Sequence, residues 1–154
     1  MTLPSGYEIE TVALLEANLD DLSPEITGAV LGKLLAAGAL DAWLTPIQMK
    51  KDRPGVLLSA LCEEEAVARI ADLFFAETST FGLRIEKVTR LKLDRRFETV
   101  QTDFGEITVK LGIKEGRVVQ AAPEFESCRA AAEKCGQPLR VVYAAALREA
   151  GKMV

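Results

Sequence analysis

The sequence predicts an α+β protein, and three observations predict it. Short runs rich in Val, Ile and Leu alternate with amphipathic helical patterns from residue 7 to residue 94. Polar caps and glycines punctuate those helices. Beyond Asp94 the strand-like runs follow one another as a hairpin before two final helices, and a segregated second half is an α+β rather than an alternating α/β signature. With 154 residues, of which 49% are apolar, the chain is long enough to bury a core without disulfide or metal staples.

The first strand is read from Glu8 to Asn18, on the run around Val12–Leu15. Ser23 then caps a helix that has Pro24 at its first position and Glu25 in its first turn, with Leu31, Leu34 and Leu35 as its buried stripe. Gly38 ends it. A second strand runs from about Leu40 to Met49, KKDRPG makes a basic turn, and a third strand covers Val56 to Leu61. The segment EEEAVARIADLFFAET is helical, opening with Glu63, Glu64 and Glu65 at its positive end and burying Val67, Ile70, Leu73 and Phe74. Gly82 is expected to break it, and Leu83 to Leu93 forms a fourth strand. The order βαββαβ is the ferredoxin-like pattern, an antiparallel sheet with the first and third strands central and both helices on one face.

Residues 95–154 then read as a smaller ββ(β)αα half: a hairpin turning at Asp103 to Gly105, a short strand at Arg117 to Ala121, a helix from Glu124 to Lys134 stopped by Gly136, and a last helix from Pro138 or Leu139 to about Glu149. The expected division is therefore 1–94 and 95–154, with the second half packed on the first.

Composition narrows the chemistry. No stretch approaches the roughly 20 apolar residues that span a bilayer, and MTLPSGYEIE lacks the basic and apolar regions of a signal peptide, so a cytoplasmic location without membrane partners is expected. Net charge of -4 argues against nucleic-acid binding in general. Cys128 and Cys135 lie seven residues apart in a helical pattern, roughly 10 Å along the axis, which speaks against a disulfide framework. The chain has no histidine, which removes imidazole acid–base catalysis and His-bearing zinc sites. Reactivity must rest on carboxylates, Lys, Arg, hydroxyls, thiols or a bound ion.

Three stretches carry such groups. EANLDDLSPE gathers Glu16, Asp20, Asp21 and Glu25 at a strand end, where carboxylate oxygens suit a hard divalent cation but where, for the stretch taken alone, solvated turn chemistry is the commoner explanation. MKKDRPG sets Lys50, Lys51 and Arg53 together, a polyphosphate holder by charge and by the Arg fork or an ordinary basic turn. ETSTFGLR offers Thr78, Thr80 and Arg84, or only a helix end capped by Gly82. A fourth, PEFESC, puts Glu124, Glu126 and Cys128 at a helix start, where a thiolate would be stabilised although free Cys is usually a small buried hydrophobe.

Together the runs ETVALLEANLDDLSPE, AGALDAWLTPIQMKKDRPG, ETSTFGLR, FGEITVKLG and PEFESCRAAAEKCGQPLRVVY resemble, in order and over almost the whole chain, the C-terminal catalytic domain of the LarC family of nickel insertion proteins. The resemblance implies a CTP-dependent cyclometallation, in which nickel is inserted into pyridinium-3,5-bisthiocarboxylic acid mononucleotide to give the nickel-pincer nucleotide cofactor of lactate racemase. It implies CTP as co-substrate, nickel as substrate and Mg²⁺ or Mn²⁺ as cofactor. Within the matched stretches, chemistry then assigns Asp20, Asp21 and Glu25 to the cation, Lys50, Lys51, Arg53, Thr78, Thr80 and Arg84 to the nucleotide, Asp20 and Lys51 to catalysis, and Cys128, Glu124 and Glu126 to nickel or substrate. Full-length members also carry an N-terminal domain, an expected separate partner here, and edge strands suggest a homo-oligomer. The rival from another class is a non-catalytic nucleotide- or metabolite-binding regulatory module.

Overall fold

The structure, a computed structural model, describes residues 4–154; the first three residues of the expected 1–94 half, and of the stretch read for a signal peptide, lie outside the described residues. The first sheet is built from β1 (Glu8–Leu19), β2 (Asp41–Met49), β3 (Arg53–Cys62) and β4 (Arg84–Lys92), in the order β2-β3-β1-β4. The first and third strands are central, as the ferredoxin-like order requires. β3 is antiparallel to both β1 and β2. Ion pairs join Arg84 to Glu16 and Arg90 to Glu10; the partner numbers run in opposite senses, so β4 is antiparallel to β1 as well.

Strand alternation turns Ala13, Leu15, Ala17 and Leu19 of β1 and Leu58, Ala60 and Cys62 of β3 toward one face. There they form a single core with Val30 and Leu34 of α1 (Pro24–Ala36) and Ile70 and Phe74 of α2 (Val67–Glu77). Both helices thus cover the same face. Fully burying side chains such as Leu34 or Phe74 stabilises the unit by about 1.5–3 kcal/mol each.

Four local expectations are corrected. The buried stripe of α1 is Thr27, Val30 and Leu34, and Leu35 is 48% exposed, because one residue past Leu34 the side chain has turned about 100° away from the core. Glu64–Ala66 form a 3₁₀ turn ahead of α2, and Glu64 pairs with Lys87 at 2.8 Å instead of serving a helix dipole. The helix ends at Glu77, well before Gly82, because Thr78 turns extended at φ -128 and ψ 171; its amide and hydroxyl close the last turn by donating to the Phe74 carbonyl, at 3.2 and 2.6 Å. Arg53 belongs to β3, pairing with Met49, and only Lys50–Asp52 remain in the turn.

The second sheet has the order β5-β6-β7, from β5 (Asp94–Thr102), β6 (Gly105–Lys114) and β7 (Arg117–Pro123), all antiparallel. Ile107, Val109 and Leu111 of β6 face α3 (Phe125–Cys135) and α4 (Leu139–Ala150), meeting Cys128, Ala132, Val142, Ala146 and Ala150. Gly136, at φ 63, ends α3 in the left-handed conformation glycine adopts without strain. By compactness the chain divides into Glu10–Arg90 and a second unit that joins the stretch up to Ile9 to Leu91–Val154. The N-terminal stretch goes with the second unit through local contacts: the Lys114 ammonium donates to the Tyr7 hydroxyl at 3.1 Å and lies 4.5 Å from its ring centre, and Lys92 pairs with Glu8 at 3.0 Å.

Candidate functional site

Within residues 10–90, three segments far apart in sequence meet at one end of the first sheet: the end of β1, the β2–β3 turn and the loop from α2 to β4. Leu19 pairs with Val56, so the residues after it, Asp20 and Asp21, lie beside the start of β3. There the Arg53 guanidinium donates to Asp20 at 3.1 Å. On the other side the Ser79 hydroxyl donates to Asp21. Arg84, the first residue of β4, donates to Asn18 at 2.9 Å and lies 3.6 Å from Glu16, which in turn accepts the hydroxyl of fully buried Ser59 at 2.9 Å.

Close approach at this corner depends on Gly55. A Cβ there would stand 2.6 Å from the Leu19 carbonyl oxygen and 2.8 Å from the Met49 sulfur, so any larger residue would push β3 away from the strand end that carries Asp20. The neighbouring turn is strained: Lys51 and Asp52 take φ 61 and 57, a region that costs roughly 1–2 kcal/mol per residue for L side chains. Such conformations persist where the surroundings hold them, often at functional sites. Lys50 and Lys51 are exposed and form no ion pair among the described residues.

The structure therefore joins Asp20, Asp21, Arg53 and Arg84 into one neighbourhood, with Lys50 and Lys51 in the turn before Arg53 and separated from it by Asp52. Thr78 and Thr80 lie in the same loop, but their hydroxyls shape it: Thr80 donates to the Gly82 carbonyl at 2.6 Å, and Thr78 accepts the Thr80 amide at 3.2 Å. Glu25 is exposed in the first turn of α1. Among the described residues no three His, Cys, Asp or Glu side chains form a ready metal cage. A cation bound with a polyphosphate needs only one or two carboxylates, the rest of its shell being phosphate oxygens and water; Asp20 and Asp21 are exposed carboxylates at this corner.

Glu124, Glu126 and Cys128 belong to the other unit. Glu124 pairs with Lys110 at 3.1 Å and Glu126 with Arg129 at 2.5 Å. Cys128 is fully buried among Ile107, Ala132, Val142 and Ala146, and that burial pushes its thiol pKa up. The stabilised thiolate considered from its helix position gives way to a neutral core side chain, because Cys128 sits a turn inside α3 on its apolar face. Sequence reasoning missed Gly55 and Ser59. Gly55 left a signal in RPG, a glycine inside a strand, which marks close backbone approach; Ser59, in an apolar run, left none.

Fold and site define a class: a ferredoxin-like α+β protein that gathers carboxylates, guanidinium groups and lysines at one end of its sheet. A family model described as nickel insertion protein matches residues 2–143. The chain belongs to the nickel insertion protein family. A pyridinium-3,5-bisthiocarboxylic acid mononucleotide nickel insertion protein of Clostridium acetobutylicum is 42% identical over 145 residues, 94% of this chain and 34% of that protein. Its counterpart in Clostridium kluyveri is 39% identical, over 92% of this chain and 36% of its own length. The chain thus spans about a third of the length of the curated relatives it matches.

Two solved structures share the fold. LarC2, the C-terminal domain of a cyclometallase involved in the synthesis of the NPN cofactor of lactate racemase, in its apo form, is 38% identical with a TM-score of 0.86, covering 92% of this chain and 98% of that one. A protein of Methanopyrus kandleri AV19 is 28% identical with a TM-score of 0.65, over 90% and 86% of the two chains. The LarC C-terminal domain is thus the part of the family that this chain matches.

Proposed function

We propose that this chain carries out CTP-dependent nickel insertion into pyridinium-3,5-bisthiocarboxylic acid mononucleotide. Family membership and the relatives' names support the nickel chemistry; the observation that carries the nucleotide part is the Arg53–Asp20 ion pair at the foot of the turn that holds Lys50 and Lys51. Mg²⁺ or Mn²⁺ would be held by Asp20 and Asp21 and would draw together the oxygens of the triphosphate. Lys50, Lys51, Arg53 and Arg84 neutralise that triphosphate, and Lys51 faces the charge that builds as pyrophosphate leaves. Thr78 and Thr80 hold the loop that presents Arg84. Nickel and the mononucleotide are substrates, and the setting is the cytoplasm.

The test is product formation. Incubated with CTP, Mn²⁺, Ni²⁺ and the bisthiocarboxylate mononucleotide, the protein should release CMP and pyrophosphate and yield a nickel-bearing product. Unchanged CTP with nucleotide still bound would instead identify a sensor module.

A further inference from the structure

We infer that the open face of the second sheet, within the unit formed by Leu91–Val154, is a binding platform for a pyridinium mononucleotide: a flat cationic ring joined through ribose to a phosphate monoester. Because Ile107, Val109 and Leu111 of β6 face the helices, alternation turns Lys110 and Gly112 to the opposite face. Register fills in the rows. Arg95, Gly112 and Gln120 lie side by side across β5, β6 and β7, and Phe97, Lys110 and Ala122 form the next row. Phe97 is 58% exposed, an aromatic ring on a sheet surface flanked by cations.

The row around Gly112 is a cleft of about 420 Å³, lined by Lys92, Arg95, Lys110 and Gln120 between leucine side chains, within the size range of small-ligand sites. Gly112 sets its floor: a Cβ there would come 2.7 Å from Leu93 and 3.3 Å from Gln120. The pairing with β7 shifts register between Gly112 and Ile113, the kind of irregularity that re-aims side chains beside sites. Three cations meet here in a protein of net charge -4. Lys92 and Lys110 each have a carboxylate partner, Glu8 and Glu124, whereas exposed Arg95 has none among the described residues.

Ligand chemistry follows from this spacing. Arg95 and Phe97 are two residues apart on one strand, about 7 Å, a span that ribose bridges between a ring on Phe97 and a phosphate on Arg95. Stacking on an exposed aromatic suits any flat base, but a positively charged ring gains attraction to the ring face as well. A triphosphate would find fewer free cations here than at the β2–β3 turn. This inference rests on the proposed reaction only in identifying the physiological ligand as its mononucleotide substrate.

Nicotinamide mononucleotide, which has a pyridinium ring and a phosphate monoester, is a direct probe that needs neither nickel nor CTP. Calorimetry and amide NMR on the whole chain should show it binding, with shifts at Gly112 and Gln120. Phe97→Ala and Arg95→Ala should each weaken it about tenfold or more, with Phe97→Tyr retaining affinity. Ribose 5-phosphate should respond to Arg95→Ala and not to Phe97→Ala. Lys51→Ala should leave nicotinamide mononucleotide binding unchanged. No binding by the parent, affinity unaffected by both platform variants, or loss in Lys51→Ala would overturn the inference. A parent that fails to turn over CTP yet binds the probe on this face would end the proposed reaction and leave the platform standing.

Discussion

Asp20 and Arg53 sit at the centre of the site, 3.1 Å apart with the arginine side chain 59% exposed. Exposed pairs of this kind contribute roughly 0–1 kcal/mol, so the pair can open at little cost when a stronger partner arrives. Asp20→Asn keeps the shape and removes a charged oxygen; it is expected to weaken Mn²⁺-dependent CTP binding while the circular dichroism and melting transition stay near those of the parent. Lys51→Ala and Arg53→Ala should each weaken CTP binding about tenfold or more, the equivalent of one charge-assisted contact, and weaken CMP much less. Equal losses for the two nucleotides by calorimetry would move the phosphate site elsewhere. The thiols divide by environment. Cys135 is exposed, whereas burial raises the pKa of both Cys62 and Cys128. Alkylation of the folded protein at mildly alkaline pH should label Cys135 and spare the other two until denaturant is added. Because the folded state holds those two protons more tightly than the unfolded chain does, their share of stability is complete below the ordinary thiol pKa and is lost as pH rises from there through the raised folded value; urea midpoints at rising alkaline pH should fall accordingly.

At the scale of elements, the β2–β3 hairpin shows what a linear pattern can carry. The two strands were legible from apolar runs either side of KKDRPG, and Ser23, Pro24 and Gly136 announced helix ends that the structure keeps. Patterns lost accuracy where tertiary contacts decided the outcome. α2 ended where Thr78 turned extended, ahead of Gly82, and β3 reached back to Arg53 because β2 was there to pair with it. The acidic, basic and hydroxyl stretches could each be singled out, but their meeting depends on strand order, and the role of Gly55 depends on a carbonyl 36 positions away in the chain. The turn also yields a prediction. Asp52→Gly relieves one left-handed residue and should stabilise the protein by up to about 1 kcal/mol, read as a higher urea midpoint, whereas Gly55→Ala should destabilise it and disturb CTP binding together.

Among the described residues, β2 and β4 are the edge strands of the first sheet and β5 and β7 those of the second, and exposed edges are commonly covered by a second copy. A homo-oligomer is the expected state, and light scattering that finds only a 16.7 kDa species would remove it. No helix among the described residues is long and apolar enough to cross a membrane. The Arg53–Asp20 pair reaches beyond its own contact. At rest, the proposed cation ligand and the proposed phosphate ligand neutralise one another, so on that proposal a metal ion arriving alone must displace Arg53 and a metal-free nucleotide must draw Arg53 off Asp20. Arriving as a complex, the two satisfy both halves in a single exchange. The coupling is reciprocal by thermodynamic necessity: CTP should raise Mn²⁺ affinity by the same factor by which Mn²⁺ raises that for CTP, and Arg53→Ala should tighten Mn²⁺ binding measured without nucleotide while shrinking that factor.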